Sequence, residues 1–204
     1  MTDQVVQPQQ LQPIKRQGPF LIAGLGNPGR KFENNRHNVG FMLLNRLSAR
    51  LGETFGQVQS KALIAKPNYL GERVILVKPQ TYMNNSGSAV SSLVRFYQVP
   101  LESLLVAYDD IDLPLGTLRL RPDGGSAGQK GMQSIIERLG TDVFPRLRIG
   151  TGRPPGRKEA ADYVLQGFRP DEREELNETL DRAVEAVLTF LQFGLERAMN
   201  SFNG

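Results

Sequence analysis

The sequence predicts an α/β fold, a single α/β/α globule in which helices cover both faces of a twisted mixed sheet. Two observations predict the layers. Short apolar runs alternate with longer segments of helical periodicity, which is typical of stacked sheet and helix layers. The two apolar runs at 62–66 and 73–77 are separated by only six residues. Such a short connection favours antiparallel strands, so we expect a mixed sheet and not an entirely parallel one.

Composition and charge limit the class of protein. The chain has no cysteine, which excludes a disulfide framework and thiolate metal sites. No apolar run reaches the roughly 18 residues that a membrane-spanning helix needs. The net charge of +4 permits nucleic-acid binding without requiring it. These features favour a cytoplasmic protein that makes no membrane contact.

Residues 1–18 differ in composition from the rest of the chain. They are rich in Gln and Pro and lack the apolar centre of a secretion signal. We expect this N-terminal tail to be disordered. Residues 19–204 show no internal repeat and no second boundary, so we expect them to form one domain.

The first half of that domain starts with a buried strand that ends in a glycine turn. In the next helix, apolar residues recur every four positions until Gly52 ends it. A hairpin and a second helix follow, and Pro100 lies just past the end of that helix. The predicted elements are strand Phe20–Gly24, helix Val39–Arg50, strands Ala62–Lys66 and Arg73–Val77, and helix Ser86–Gln98.

The second half continues the alternation. In the segment 117–121, Leu118 and Leu120 alternate with Arg119 and Arg121, which predicts a half-buried strand with a basic face. Residues 151–158 contain Gly, Pro and three cations, so we expect an irregular, mobile loop that gates the cleft. The predicted elements are strands Leu104–Tyr108 and Thr117–Arg121, helix Met132–Leu139, strand Arg146–Gly150 and helix Pro170–Asn200.

The glycine-rich turn after the first strand allows a nucleotide-binding hypothesis. Residues 24–29 read Gly-Leu-Gly-Asn-Pro-Gly, which has the glycine spacing of a dinucleotide fingerprint. Pro28, however, removes one of the backbone donors that a phosphate cradle uses. A nucleotide-dependent enzyme therefore remains a third hypothesis, behind the two that are developed below.

Three polar clusters each follow a predicted strand. They contain Asn27 and His37, then Asn84, then Asp109. We expect them to converge at the edge of the sheet where α/β proteins bind ligands. A histidine, a carboxylate and amides suffice for acyl transfer to water. The acidic run 109–112 also allows a magnesium site, whereas a transition-metal site is disfavoured because the chain has one histidine.

Five segments of the chain together resemble the bacterial-type peptidyl-tRNA hydrolase family. They occur in the family's order and cover roughly residues 19–168. The first three are specific in combination, although none is specific alone. The segments are LIAGLGNPGRKFENNRHNVGF, KPQTYMNNSGSAV, LLVAYDDIDLPLGTLRLR, GGSAGQKGMQSII and FPRLRIGTGRP.

The resemblance implies a monomeric enzyme that cleaves the ester between a peptide and tRNA, with no metal and no cofactor. By position, His37 would be the base that activates water and Asp109 its partner. Arg121 and Arg148 would clamp a tRNA phosphate, since guanidinium groups bind phosphate in a bidentate manner. The residues that would bind substrate are Asn27, Tyr82, Met83, Asn84 and Lys130.

One segment departs from the family pattern. The family usually has His-Asn-Gly after the glycine-rich loop, and this chain has Gln129-Lys130-Gly131. Lys130 would stand in for an asparagine that helps to place water, but a lysine cannot accept a hydrogen bond. The resemblance would put its charge near His37 or against the 3′ end of tRNA. The departure supports an alternative, a noncatalytic RNA-binding protein on the same fold.

Overall fold

The computed structural model describes residues 18–154 and 159–204, and within them eight strands form one mixed sheet. The strands are β1 Phe20–Gly24, β2 Gln57–Gln59, β3 Ala62–Ala65, β4 Asn68–Tyr69, β5 Glu72–Pro79, β6 Leu104–Asp110, β7 Leu118–Arg121 and β8 Arg146–Gly150. Seven of them lie in the order β2–β3–β5–β1–β6–β8–β7, and β4 pairs with β5.

The four central strands are parallel and the outer strands are antiparallel. β5, β1, β6 and β8 run in the same direction, whereas β2, β3 and β4 on one side and β7 on the other run against their neighbours. The predicted mixed sheet is therefore confirmed. Because the central strands are parallel, the loops that follow β1, β5 and β6 leave from the same edge of the sheet.

Helices cover both faces of this sheet. They are α1 Val39–Arg50, α2 Ser86–Phe96, α3 Lys130–Leu139, α4 Ala160–Val164, α5 Arg173–Phe193 and α6 Leu195–Phe202. One apolar cluster joins the sheet to α1, α5 and α6, and a second joins it to α2 and α3. Strand β6 serves both clusters by alternation, since Leu105 and Ala107 enter the first while Leu104 and Val106 enter the second.

Several predicted bounds are confirmed and some are wrong. β1, α1 and β8 have the predicted bounds. The predicted helix Pro170–Asn200 is instead a 3₁₀ turn followed by α5 and α6, which are separated at Gly194. Gly194 has a φ of 88°, which interrupts the helix while the apolar pattern continues past it. The short elements β2, β4 and α4 have no counterpart among the predicted elements.

The acidic run after residue 108 corrects a further expectation. The predicted strand ended at Tyr108, but Asp109 and Asp110 also belong to β6, where they pair with Ile149 and Gly150 of β8. Pairing with β8 therefore extends the strand by two residues and fixes the backbone under both carboxylates.

Two expectations fall wholly or partly on residues outside the described ranges. The disordered tail 1–18 is one, since only Gly18 of that tail is described. The mobile loop 151–158 is the other, since residues 155–158 are not described. Residues 151–154 have no regular secondary structure.

Candidate active site

A 3₁₀ turn, Arg36–Asn38, places the histidine between the loop after β1 and the start of α1. The first turn of α1 lies directly against the sheet at Gly40. A Cβ on Gly40 would lie 2.4 Å from the Leu25 nitrogen and 2.5 Å from the Ala107 oxygen. No real Cβ makes such contacts with backbone atoms, so only glycine lets the turn lie this close to the end of β1 and the middle of β6.

His37 and Asp109 form a direct pair. The Nδ1 atom of His37 is 2.9 Å from Oδ1 and 2.8 Å from Oδ2 of Asp109. A carboxylate only accepts hydrogen bonds, so Nδ1 carries the proton and Nε2 is left with its lone pair. Asp109 is 4% exposed, and the His37 side chain is 13% exposed. A base oriented in this way can take a proton from water, and the carboxylate stabilises the resulting imidazolium.

Three hydrogen bonds hold Asn27, two at its backbone and one at its side-chain oxygen, and the last of these fixes the orientation of its amide. Its backbone N–H donates to Oδ1 of Asn38 at 2.9 Å, and Nδ2 of Asn38 donates to its carbonyl oxygen at 2.9 Å. Its own Oδ1 accepts the backbone N–H of Met83 at 2.8 Å. With Oδ1 occupied, the Asn27 Nδ2 group remains as a donor that has no acceptor among residues 18–154 and 159–204. A fixed donor of this kind suits a carbonyl oxygen or a developing oxyanion.

Gln129 closes these contacts into a ring. Its Nε2 donates to Oδ1 of Asp109 at 3.1 Å and lies 3.3 Å from Sδ of Met83. Its Oε1 accepts the backbone N–H of Met132 at 2.8 Å, which caps α3. We call this set the polar ring, and its members are Asn27, His37, Asn38, Met83, Asp109 and Gln129.

The polar ring contains some of the predicted site residues and leaves others outside. His37, Asp109, Asn27 and Met83 come together as predicted. Tyr82 and Asn84 are exposed beside Met83, and Lys130 is exposed at the first position of α3. Gln129, which precedes the predicted Lys130, is the residue of this loop that donates a hydrogen bond to Asp109. Its signal in the sequence was a polar side chain at a helix N-cap position, three residues before Met132.

The Gly-rich turn after β1 is not arranged as a phosphate cradle. The backbone N–H of Asn27 is already used by the Asn38 side chain. A 3₁₀ turn at Arg30–Phe32 follows Gly29, where a dinucleotide site would have the start of a long helix.

The acidic residues after Tyr108 are likewise engaged by the chain itself. Asp109 contacts His37, Asp110 contacts Arg148, and Asp112 contacts Arg153. Within the described ranges, no group of three or more His, Cys, Asp or Glu side chains could hold a metal ion.

Four arginines form a second polar region on β7 and β8. Arg119 is paired in register with Arg148, and Arg121 with Arg146, so their side chains emerge from one face of the sheet. We call these four residues the arginine face. A cavity of about 530 Å³ lies here, and Arg121, Arg146, Arg148 and Tyr108 line it. The opposite face of β7 is apolar, with Leu118 and Leu120 fully buried, as predicted.

The members of the arginine face have different partners. Arg146 is 1% exposed and donates to the carbonyl oxygens of Gly124, Asp142 and Phe144. Burial lowers its pKa from the ordinary arginine value. Arg148 donates from Nε to Asp110, which leaves its two terminal nitrogens toward the cavity. Arg119 and Arg121 make no hydrogen bond or ion pair with the residues that the structure describes.

The fold and the polar ring define a class. This is an α/β protein in which a buried carboxylate forms hydrogen bonds with a histidine at the carboxyl edge of the parallel strands of a mixed sheet. The peptidyl-tRNA hydrolase family model matches residues 21–204, and the chain belongs to that family. No helix in the described ranges is both long and apolar enough to cross a membrane.

Relatives and solved structures agree with this assignment. A peptidyl-tRNA hydrolase from Thermoanaerobacter sp. (strain X514) is 46% identical over 185 residues, which is 91% of this chain and 100% of the relative. One from Carboxydothermus hydrogenoformans is 50% identical, covering 90% of this chain and 98% of the relative. The crystal structure of the Acinetobacter baumannii peptidyl-tRNA hydrolase is 33% identical, with a TM-score of 0.84 over 91% of this chain and 96% of that chain.

Proposed function

We propose that this protein hydrolyses the ester bond between peptide and tRNA in peptidyl-tRNA and so recycles tRNA. The observation that carries the proposal is the pair of contacts, 2.8 and 2.9 Å, between Nδ1 of His37 and the Asp109 carboxylate. This geometry supports a reaction in which His37 acts as a general base and a water molecule attacks the ester directly. Such a reaction forms no covalent intermediate with the protein. Family membership supports the choice of substrate.

The proposed reaction begins when Nε2 of His37 takes a proton from a water molecule. The hydroxide adds to the ester carbonyl carbon, and negative charge develops on the carbonyl oxygen. The C–O bond to the tRNA 3′ oxygen then breaks, and the imidazolium returns the proton to that oxygen. The products are a tRNA with a free 3′ hydroxyl and a peptide carboxylic acid, which loses its proton to solvent and becomes a carboxylate. Asp109 stabilises the cation throughout.

The residues around His37 have proposed roles in binding. Asn27 donates from Nδ2 to the carbonyl oxygen, because its Oδ1 is already engaged. Met83 packs against the peptide next to the scissile bond. Tyr82 and Asn84 contact the peptide from their exposed positions, and Lys130 contacts the 3′ end of the tRNA.

The arginine face is proposed to bind a phosphate of the tRNA. Arg121 and Arg148 line the same cavity and keep guanidinium nitrogens that have no partner among the described residues. The cavity opens on β7 and β8, next to β6, which carries Asp109. A tRNA held there would present its acceptor end to His37.

The protein is proposed to act as a monomer in the cytoplasm, with residues 19–204 as its one domain. The resemblance to the family, which implies a monomer, supports the oligomeric state. The match of the family model to residues 21–204 supports the single domain. Peptidyl-tRNA is a product of translation, which supports the compartment.

The test is the release of free tRNA from N-acetyl-aminoacyl-tRNA by the purified protein. We expect turnover by the natural chain and loss of at least about 10³-fold in kcat in His37→Ala. Filter binding of the uncleaved substrate to the variant should stay within about twofold. Salt-sensitive binding by the natural chain without ester cleavage would instead establish the noncatalytic RNA-binding alternative.

A further inference from the structure

The residue before the catalytic histidine is a buried cation that the proposed reaction does not use. Arg36 is 2% exposed, although a charged side chain is almost never buried so completely. Its guanidinium carbon lies 4.2 Å from the ring centre of Tyr163 and 4.8 Å from that of Phe168. Two aromatic rings therefore contact one guanidinium group, an arrangement that restricts it to a single position.

The hydrogen bonds that the Arg36 side chain and backbone N–H donate all lead to one distant segment of the chain. Nη2 forms an ion pair with Glu172, and Nη1 donates to the carbonyl oxygens of Gln166 and Gly167. The backbone N–H of Arg36 donates to the Gln166 oxygen at 3.0 Å, and Asn35 forms a β-bridge with Gly167. These contacts attach the 3₁₀ turn to residues 163–172.

The three residues of the turn are thus attached to three different parts of the protein. Arg36 is bound to residues 163–172, His37 to Asp109 on β6, and Asn38 to the loop that holds Asn27. A three-residue turn has few internal hydrogen bonds of its own, so its position depends on these attachments. Removal of one attachment would let the imidazole move relative to the Asp109 carboxylate.

We propose that Arg36 is a positioning residue, whose guanidinium holds the turn so that His37 meets both Asp109 oxygens and directs Nε2 at the water. The proposal rests on the proposed function for the role of His37. Loss of reactant alignment by about 1 Å costs a rate of order 100-fold in enzymes. We therefore expect an effect on kcat and little effect on KM, since Arg36 is buried away from substrate.

Arg36→Lys is the principal variant, because it keeps the charge and removes the planar, bidentate group. The expected result is a kcat reduced by about 10- to 100-fold with KM changed by less than about twofold. A matched control is Arg46→Lys. Arg46 likewise forms an ion pair with an acid, Asp181 of α5, and donates to the main-chain carbonyl oxygen of Asn177, but it lies within α1 and outside the 3₁₀ turn. The control should change neither constant by more than about twofold.

A spectroscopic readout separates positioning from general stability. His37 is the one histidine in the chain, so its imidazole proton resonances are unambiguous. In Arg36→Lys we expect the Nδ1 proton signal to broaden or disappear and the ring C–H signals to shift. In Arg46→Lys they should stay in place. This measurement needs no hydrolysis, so it still tests the proposal if the natural chain proves inactive, an outcome that would overturn only the proposed function.

Two results would overturn the inference. One is a folded Arg36→Lys protein with natural kcat and unmoved His37 resonances. The other is an equal loss of kcat in both lysine variants. Should Arg36→Lys fail to fold, Glu172→Gln decides, since it keeps the shape of the partner and removes its charge. That variant should lower kcat about three- to tenfold and shift the His37 resonances, and natural values for both would refute the proposal.

Discussion

Two neighbouring carboxylates on β6 belong to two regions that are built differently. Asp109 enters the polar ring, where it accepts hydrogen bonds from His37 and Gln129. Asp110 instead contacts Arg148 in the arginine face. Adjacent residues of a strand point to opposite sides, so one strand end supplies both regions.

The two regions differ in how much of their hydrogen-bonding capacity the protein itself uses. In the polar ring, each side chain has a partner within the ring, and the groups without a partner among the described residues are Nε2 of His37 and Nδ2 of Asn27. In the arginine face, Arg119 and Arg121 have no partner among the described residues. Saturated polar groups resist reorganisation during a reaction, whereas open cations are free for an anionic ligand. Under the proposed function, this difference assigns the chemistry to the polar ring and the binding of phosphate to the arginine face.

Replacement of each carboxylate by its amide should separate these roles most strongly. Asp109→Asn should lower kcat by about 10³-fold and leave KM within about threefold, because an amide neither stabilises the imidazolium nor enforces the tautomer. Asp110→Asn should keep kcat within about twofold and raise KM about threefold, because it releases Arg148. Steady-state hydrolysis of N-acetyl-aminoacyl-tRNA measures both. Similar kcat values for the two variants would contradict the division between the regions.

The next comparison lies within the loop before α3. Gln129→Ala removes a donor to Asp109 and the cap of α3, so we expect kcat to fall about tenfold. Lys130→Ala removes an exposed cation, so we expect kcat within about twofold and KM raised at most about threefold. The same hydrolysis assay measures both variants. A larger loss of kcat in Lys130→Ala than in Gln129→Ala would contradict this expectation. It would indicate that Lys130 takes the role of the family's asparagine in placing water.

This loop also shows what the sequence could and could not predict. The convergence of Asn27, His37, Met83 and Asp109 followed from their positions after successive strands and from the family resemblance. Gln129 did not, because the helix was expected to start at Met132 and in fact starts at Lys130. At a helix N-terminus a shift of two residues changes which side chain faces inward. The polar side chain three residues before Met132 is a local signal for the cap, but its choice over neighbouring positions depends on packing against Met83 and Asp109.

The long-range contacts were beyond sequence patterns for the same reason. The attachment of Arg36 to residues 163–172 joins positions about 130 apart, and no periodicity relates them. The break at Gly194 was missed because the apolar spacing of the helix continues across it. The central parts of strands and helices follow from apolar patterns within short stretches of sequence. Buried polar contacts join distant stretches and therefore depend on the assembled fold.

Removal of single charges from the arginine face should have moderate effects on binding. Arg121→Gln and Arg148→Gln should each raise KM about fivefold at moderate salt, with kcat within about twofold. Each should also reduce the slope of log KM against log salt concentration by about one, as expected for the loss of one phosphate contact. Arg50→Gln, an exposed arginine on α1, is the control and should change neither value. An unchanged salt slope in both cavity variants would remove the phosphate assignment.

The smallest expected effect concerns Tyr108, which is 2% exposed and lines the cavity of the arginine face. Burial raises the pKa of Tyr108 above its ordinary value of 10.0, and Arg146 and Arg148 offset part of this rise. The folded protein therefore holds the phenol proton more tightly than the unfolded chain does. The stability linked to this proton is present below about pH 10 and is lost as the pH rises through the pKa of the folded state.

Urea unfolding between pH 8 and 11 should show a shallower loss of stability in Tyr108→Phe than in the natural chain. Tyr82→Phe, which removes an exposed phenol, should follow the natural curve. If Tyr108→Phe followed it as well, the buried phenol would have no part in the alkaline destabilisation, and the arginines would offset its burial completely.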